Sequence, residues 1–190
     1  MPDIYVTLNA RIRPLDRGDR FEDPLLDRLK KKIRKLSVTG GGTLMEANGE
    51  PSKCDIDLAF KGDADEALPL ITATLDSLGA PIGSTARVSG KDKAVTFGTT
   101  EGVGVYLNGT ELPDEVYQTN DVNELIARLS QSLGDSGEMY SYWEGSTETA
   151  LYFYGPSADR IRQRISEVLR THPLAQRSRV ESLTPPRSEA

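Results

Sequence analysis

The chain holds one histidine and one cysteine, so nucleophilic or zinc chemistry would have to run through His172 or Cys54. His172 precedes Pro173 at the end of an expected helix, where a cation complements the helix dipole. No Cys/His spacing of a zinc site accompanies it, and no neighbouring residues mark it as the base of a nucleophilic triad. Cys54 opens an expected strand beside Asp55. An acidic neighbour raises a thiol pKa, so a packed residue is expected there rather than a nucleophile. Asp55, Asp57, Asp63, Asp65 and Glu66 gather carboxylates, but their spacing matches no cation-binding loop. Asp63 and Glu66 are already used as a capping box. The run Gly40-Gly41-Gly42-Thr43 has the composition of a phosphate loop, yet no Gly-Lys-Ser/Thr follows. A bulge or close strand crossing is the expected use of these glycines. The sequence therefore assigns no catalytic residue, no metal ligand and no cofactor.

Aromatic residues form the one non-random surface candidate. On strict strand alternation Tyr140 and Tyr142 share one face, and Tyr152 and Tyr154 share one face of the hairpin partner. Met139, Trp143, Leu151 and Phe153 fall on the opposite faces. Tyr and Trp dominate interface hot spots, so Tyr140, Tyr142, Trp143, Tyr152 and Tyr154 are the candidate partner-binding residues. Two arrangements stay open: an exposed platform, or two sheets packed face to face over the rings. Base stacking is disfavoured, because the hairpin lacks the Lys/Arg-Gly-aromatic pattern of RNA-recognition domains.

These residues sit on elements that read clearly. In residues 54–60, Ile56, Leu58 and Phe60 alternate with Asp55, Asp57 and Ala59, as a half-buried strand requires. Asp63 caps a helix striped by Leu68, Ile71, Leu75 and Leu78, Gly79 ends it, and residues 85–88 return as a strand. Residues 149–180 repeat this grammar: a strand through Tyr154, Ser157 as cap, the stripe Ile161, Ile165, Val168 and Leu169, then His172-Pro173 and a strand over 178–183. Upstream of the first unit, residues 4–12 read as a strand and 11–20 as polar connection. Asp23 reads as the N-cap of a helix striped by Leu25, Leu29, Ile33 and Leu36, with Pro24 at its first position. Asn48-Gly49 supplies a hairpin turn. Before the second unit come strands over 94–97 and 103–107, a loop over 108–120, and a helix capped by Asp121 and closed by Gly134.

The expected fold is α+β: two ferredoxin-like βαββαβ repeats, each an antiparallel sheet with helices on one face. The repeats span 1–90 and 91–183, the second with an extra strand before it, and 184–190 form a disordered tail. With 190 residues and a net charge of −6, the chain argues against a nonspecific binder of nucleic acid or anionic membrane. It contains no apolar run long enough to span a bilayer. Met1-Pro2-Asp3 opens no signal peptide, and a single cysteine agrees with a reducing compartment, so a cytoplasmic location is expected.

The residues Arg20-Phe21-Glu22-Asp23-Pro24-Leu25, Val38-Thr39-Gly40-Gly41-Gly42-Thr43, Asn48-Gly49-Glu50, Cys54-Asp55-Ile56-Asp57-Leu58 and Leu78-Gly79-Ala80-Pro81-Ile82-Gly83-Ser84 resemble a group of small bacterial proteins. Some of its members look like immunity proteins, cytoplasmic antidotes that bind and block toxins. The resemblance covers residues 5–88 and brings no catalytic residues with it. With the acidic balance, the lack of a catalytic set and the tyrosine-rich hairpin, the expected function is a non-enzymatic inhibitor whose partner is a protein, such as a basic toxin domain. Two other classes stay open. One is a small enzyme or ligand-binding protein using carboxylates such as Asp55 and Asp57 in a cleft between the repeats. The other is an oligomer built by edge-strand pairing.

Overall fold

The computed structural model describes residues 4–184, and the chain divides into two compact units, Met1–Thr100 and Glu101–Ala190. The first contains β1 (Ile4–Leu8), α1 (Pro14–Arg17), a π-helical turn (Gly18–Glu22), α2 (Asp23–Leu29), β2 (Arg34–Met45), β3 (Pro51–Lys61), α3 (Ala64–Ser77), β4 (Ser84–Val88) and β5 (Ala94–Phe97). Its sheet has the order β2-β3-β1-β4-β5. The second contains β6 (Glu101–Asn108), α4 (Asp114–Thr119), α5 (Val122–Leu133), β7 (Glu138–Glu144), β8 (Glu148–Gly155), α6 (Ala158–Thr171) and β9 (Arg179–Ser182). Its order is β7-β8-β6-β9. Leaving β5 aside, both sheets place their strands second-third-first-fourth, with antiparallel neighbours throughout. That is the ferredoxin-like arrangement, present twice.

Alternation builds the first sheet. Ile4, Val6 and Leu8 lie opposite Leu58, Ile56 and Cys54, and all six are buried. Phe21, Leu25, Leu29, Ile71 and Leu75 supply the helical side of this core. In the second unit Val103, Val105, Leu107, Leu151 and Phe153 form one cluster with Leu125, Leu129 and Leu133 of α5 and Ile161 and Ile165 of α6. Burial of such side chains is the main stabilising term, about 1.5–3 kcal/mol for each large one.

Caps set three helix starts. Asp63, Asp121 and Ser157 each adopt extended backbone and accept an N–H from the first turn: Asp65 at 2.7 Å, Asn123 at 2.8 Å and Arg160 at 3.3 Å. At the other end of α3, Gly79 takes φ +86°, and the Ala80 N–H closes on the Leu75 carbonyl at 2.9 Å. The hairpin turn at Asn48-Gly49 forms as the dipeptide requires, with Gly49 at φ +82°.

The first helical region departs from expectation at both ends. It begins at Pro14, behind an extended Arg13, so residues 14–20 are helical rather than simple connection. Asp23 has helical dihedrals and is no cap. The π turn ends at Glu22, two residues before Pro24, whose ring and missing N–H interrupt a regular ladder. The helix stops at Leu29, and Leu36 lies in β2, not on a helical stripe. Lys30, Lys31, Lys32, Arg34 and Lys35 would repel one another at helical spacing, whereas Leu36 and Val38 alternate as a strand does.

Two further differences concern boundaries. Residues 94–97, expected at the head of the second repeat, form β5 and pair with β4, Ser84 opposite Phe97. The units therefore divide at Thr100/Glu101 rather than at 90/91. The loop expected over 108–120 contains α4, held by Tyr117, whose hydroxyl accepts the Leu112 N–H at 3.0 Å. Of the expected tail, Thr184 accepts the Gly102 N–H at 2.8 Å, and the rest lies outside the described residues.

The caps yield a direct contrast. Asp121→Ala should lower unfolding stability by about 1 kcal/mol. Asp23→Ala, at an exposed position within a helix, should change it by less than about 0.5 kcal/mol. Urea denaturation of both variants measures this; a larger loss for Asp23→Ala would mean that Asp23 caps a helix after all.

Candidate partner surface

The aromatic hairpin is built on a register that breaks strict alternation. Met139 lies opposite Phe153, but Ser141 lies opposite Tyr152, with a bulge between them at Tyr140. One extra residue reverses the parity of everything after it. Tyr142 consequently lies opposite Leu151 and, with Met139, packs on the helix-side core. Trp143 lies opposite Ala150 and joins the face of Tyr152 and Tyr154. Tyr142 and Trp143 thus exchange the faces that simple alternation gives them.

Four tyrosines fill the face away from the helices. Tyr140 stacks on Tyr154 with ring centroids 4.5 Å apart, and Tyr106 meets Tyr152 edge-on at 6.5 Å. Two glycines of β6 make room. A Cβ on Gly102 would lie 2.6 Å from the Tyr154 ring, and one on Gly104 would lie 2.8 Å from the Tyr106 ring. The Arg179 guanidinium covers Tyr106 at 3.5 Å from the ring centroid. Glu148 fixes that guanidinium with two hydrogen bonds of 2.7 and 3.2 Å, and Glu181 adds a third contact. Hydrogen bonding to Glu148 first, and to Glu181 as well, raises the Arg179 pKa against the opposing effect of burial.

Of the five candidate partner-binding residues, Tyr140, Tyr152 and Tyr154 are at most 6% exposed. Their rings are core, and the expectation of an open tyrosine platform is corrected accordingly. Tyr142 and Trp143 remain half-buried. They stand on β7, an edge strand of the second sheet, between exposed Glu138 and Glu144. The Trp143 indole lies against Gly145, where a Cβ would fall 2.2 Å from the ring.

The other chemical candidates are occupied structurally. Burial, assisted by Asp55 and Glu22 and opposed by Arg17, pushes the Cys54 thiol up to about 12. It stays protonated at neutral pH. His172 is 4% exposed and accepts the Leu174 N–H on Nδ1 at 3.3 Å. Burial first, then the Arg128 charge, lowers its pKa, with Glu124 acting in the opposite sense. His172 is therefore a neutral acceptor at the end of α6, not the dipole-complementing cation expected there. Asp55 accepts the Thr7 hydroxyl at 2.6 Å, and Asp65 pairs with Lys91 at 2.6 Å. Among the described residues, no cluster of three or more His, Cys, Asp or Glu could hold a metal ion. The glycine run lies in β2, where the register shifts between Val38 and Gly40. A Cβ on Gly41 would fall 2.4 Å from the Asp55 carbonyl oxygen, so close strand approach requires glycine there.

No family model and no curated protein matches the chain. Among solved structures, an unknown protein from Galdieria sulphuraria is 11% identical, with 95% of this chain and 96% of that one covered, at a TM-score of 0.32. A putative monooxygenase from Lactobacillus acidophilus is 12% identical over 96% and 93% of the two chains, at 0.31. The first two RRM domains of a yeast poly(U)-binding protein are 11% identical over 96% and 99%, at 0.26. Likenesses of this size say nothing of function; the fold rests on strand order and register. Among the described residues no helix is long and apolar enough to cross a membrane.

His172 carries a pH dependence. Its folded pKa lies below the ordinary 6.5, so the unfolded chain binds the proton more readily. The stabilisation is complete above about 6.5 and declines as pH falls toward the lower folded value. Thermal unfolding of wild type and His172→Gln between about pH 7.5 and 5.5 should show a flatter pH slope for the variant. Equal slopes would remove His172 as the source.

Proposed function

We propose that this chain is a non-enzymatic protein-binding module, most concretely an immunity-type inhibitor that binds and blocks a bacterial toxin in the cytoplasm. The observation that carries the reading is the placement of Tyr142 and Trp143, half-buried on an edge strand and flanked by Glu138 and Glu144. Half-buried aromatics held by their own fold lose little conformational freedom on binding, which makes them effective interface anchors. The net charge of −6 suits a basic partner, because complementary fields raise the association rate and suppress wrong partners. The protonated, buried Cys54 and the backbone-bound His172 fit a chain whose reactive side chains serve packing.

The test is capture of the partner by wild type, Tyr142→Ala and Trp143→Ala, with circular dichroism as the folding control. Each aromatic truncation should weaken a stoichiometric basic partner by about tenfold or more, the loss expected of a hot spot. Raised salt should slow association. If both variants keep full affinity while folded, the partner does not bind at this edge.

A further inference from the structure

Strand β2 is an edge of the first sheet, runs for 12 residues, and carries two of the largest exposed apolar side chains, Leu44 at 60% and Met45 at 50%. An edge strand presents backbone donors and acceptors that another strand can pair. Proteins that avoid this place bulges and charges along the edge. Here the irregularities fall between Arg34 and Ser37, Val38 and Gly40, and Leu44 and Met45. Residues 40–44 between them pair regularly with β3, from Gly40 opposite Asp57 to Leu44 opposite Lys53.

The charges along β2 decide what fits. Its entrance carries Arg34 and Lys35 directly after Lys30, Lys31 and Lys32, whereas its exit runs into Glu46. A parallel second copy would set these cations against themselves. An antiparallel copy sets the basic entrance of each strand beside the Glu46 end of the other. The regular segment also suits a two-fold axis at Gly42. In that register Gly42 meets Gly42, Thr43 meets Gly41, and Leu44 meets Gly40. Every side chain in the run then faces a glycine, and each exposed Leu44 is covered by the other copy's backbone.

We propose that β2 is a self-pairing edge, through which two copies of this chain join antiparallel over residues 40–44 about an axis at Gly42. The two five-stranded sheets become one continuous sheet. This pairing uses the first unit alone and does not depend on the partner contact proposed for β7.

Sedimentation equilibrium of the full chain should give a reversible dimer. Leu44→Asp changes an exposed side chain, so the fold persists, but it brings a carboxylate toward Asp57 of the other copy, beside Gly40. It should raise the dimer dissociation constant by about tenfold or more, as two leucines no longer covered by backbone, with added repulsion, would. Gly42→Cys tests the axis itself. A Cβ there has open space, and the two thiols would face each other across the axis. Mild oxidation should link Gly42→Cys chains rapidly and leave Ser146→Cys chains, altered in an exposed loop, monomeric on denaturing gels. A wild type that stays monomeric at all accessible concentrations overturns the proposal. So does a dimer indifferent to Leu44→Asp, or one in which Gly42→Cys links no faster than Ser146→Cys.

Discussion

Side-chain parity along β7 is the constraint on which the second unit depends. In an antiparallel ladder each residue commits its neighbours to alternate faces, and β8 observes this without interruption from Glu148 to Gly155 against β6. Leu151 and Phe153 face the helices, while Tyr152 and Tyr154 face away. The bulge at Tyr140 lets β7 satisfy both demands at once. Met139 and Tyr142 reach the helix-side core, while Tyr140 stays across the sheet to stack on Tyr154. Without it, either Tyr142 or Tyr140 would lose its packing. The glycines at 102 and 104 belong to the same solution, because the rings occupy the volume that their Cβ atoms would take.

Where one local interaction dominates, the sequence is readable. Asp63, Asp121 and Ser157 cap helices because a short polar side chain can reach a first-turn N–H. Gly79 ends α3 because glycine accepts a positive φ freely. The strand order needed only the sequence of elements and the chirality rules of the fold. What escaped was non-local. Asp23-Pro24 has the composition of a helix entrance, yet Pro14 starts the helix earlier and a π turn over 18–22 leads into α2 ahead of the proline. The assignment of β5 depended on which sheet edge it found, which no local pattern records.

The candidate surface was legible in composition and illegible in orientation. The five aromatic residues stand out in composition, but an unsignalled one-residue bulge sets the faces of Tyr142 and Trp143, and packing buries Tyr140, Tyr152 and Tyr154. Cys54 and His172 behaved similarly. Asp55 does oppose ionisation of the thiol, as proximity suggests, yet burial is the larger cause. His172 does end a helix, but burial and then the Arg128 charge lower its pKa rather than raise it.

The two units share one strand order and differ in what they place on it. In the first, the sheet face away from the helices carries Thr7, Asp55 and Arg87; in the second it carries four packed tyrosines. Their topologically equivalent edges differ as sharply. β2 is 12 residues long and glycine-rich at its centre, whereas β7 has 7 residues and is aromatic. Backbone pairing requires length and close approach, which glycine permits. Side-chain recognition requires rigid rings, which a short bulged strand can present. A duplicated fold therefore does not imply a duplicated function, because function follows from what each copy carries on its edges and not from the strand order they share.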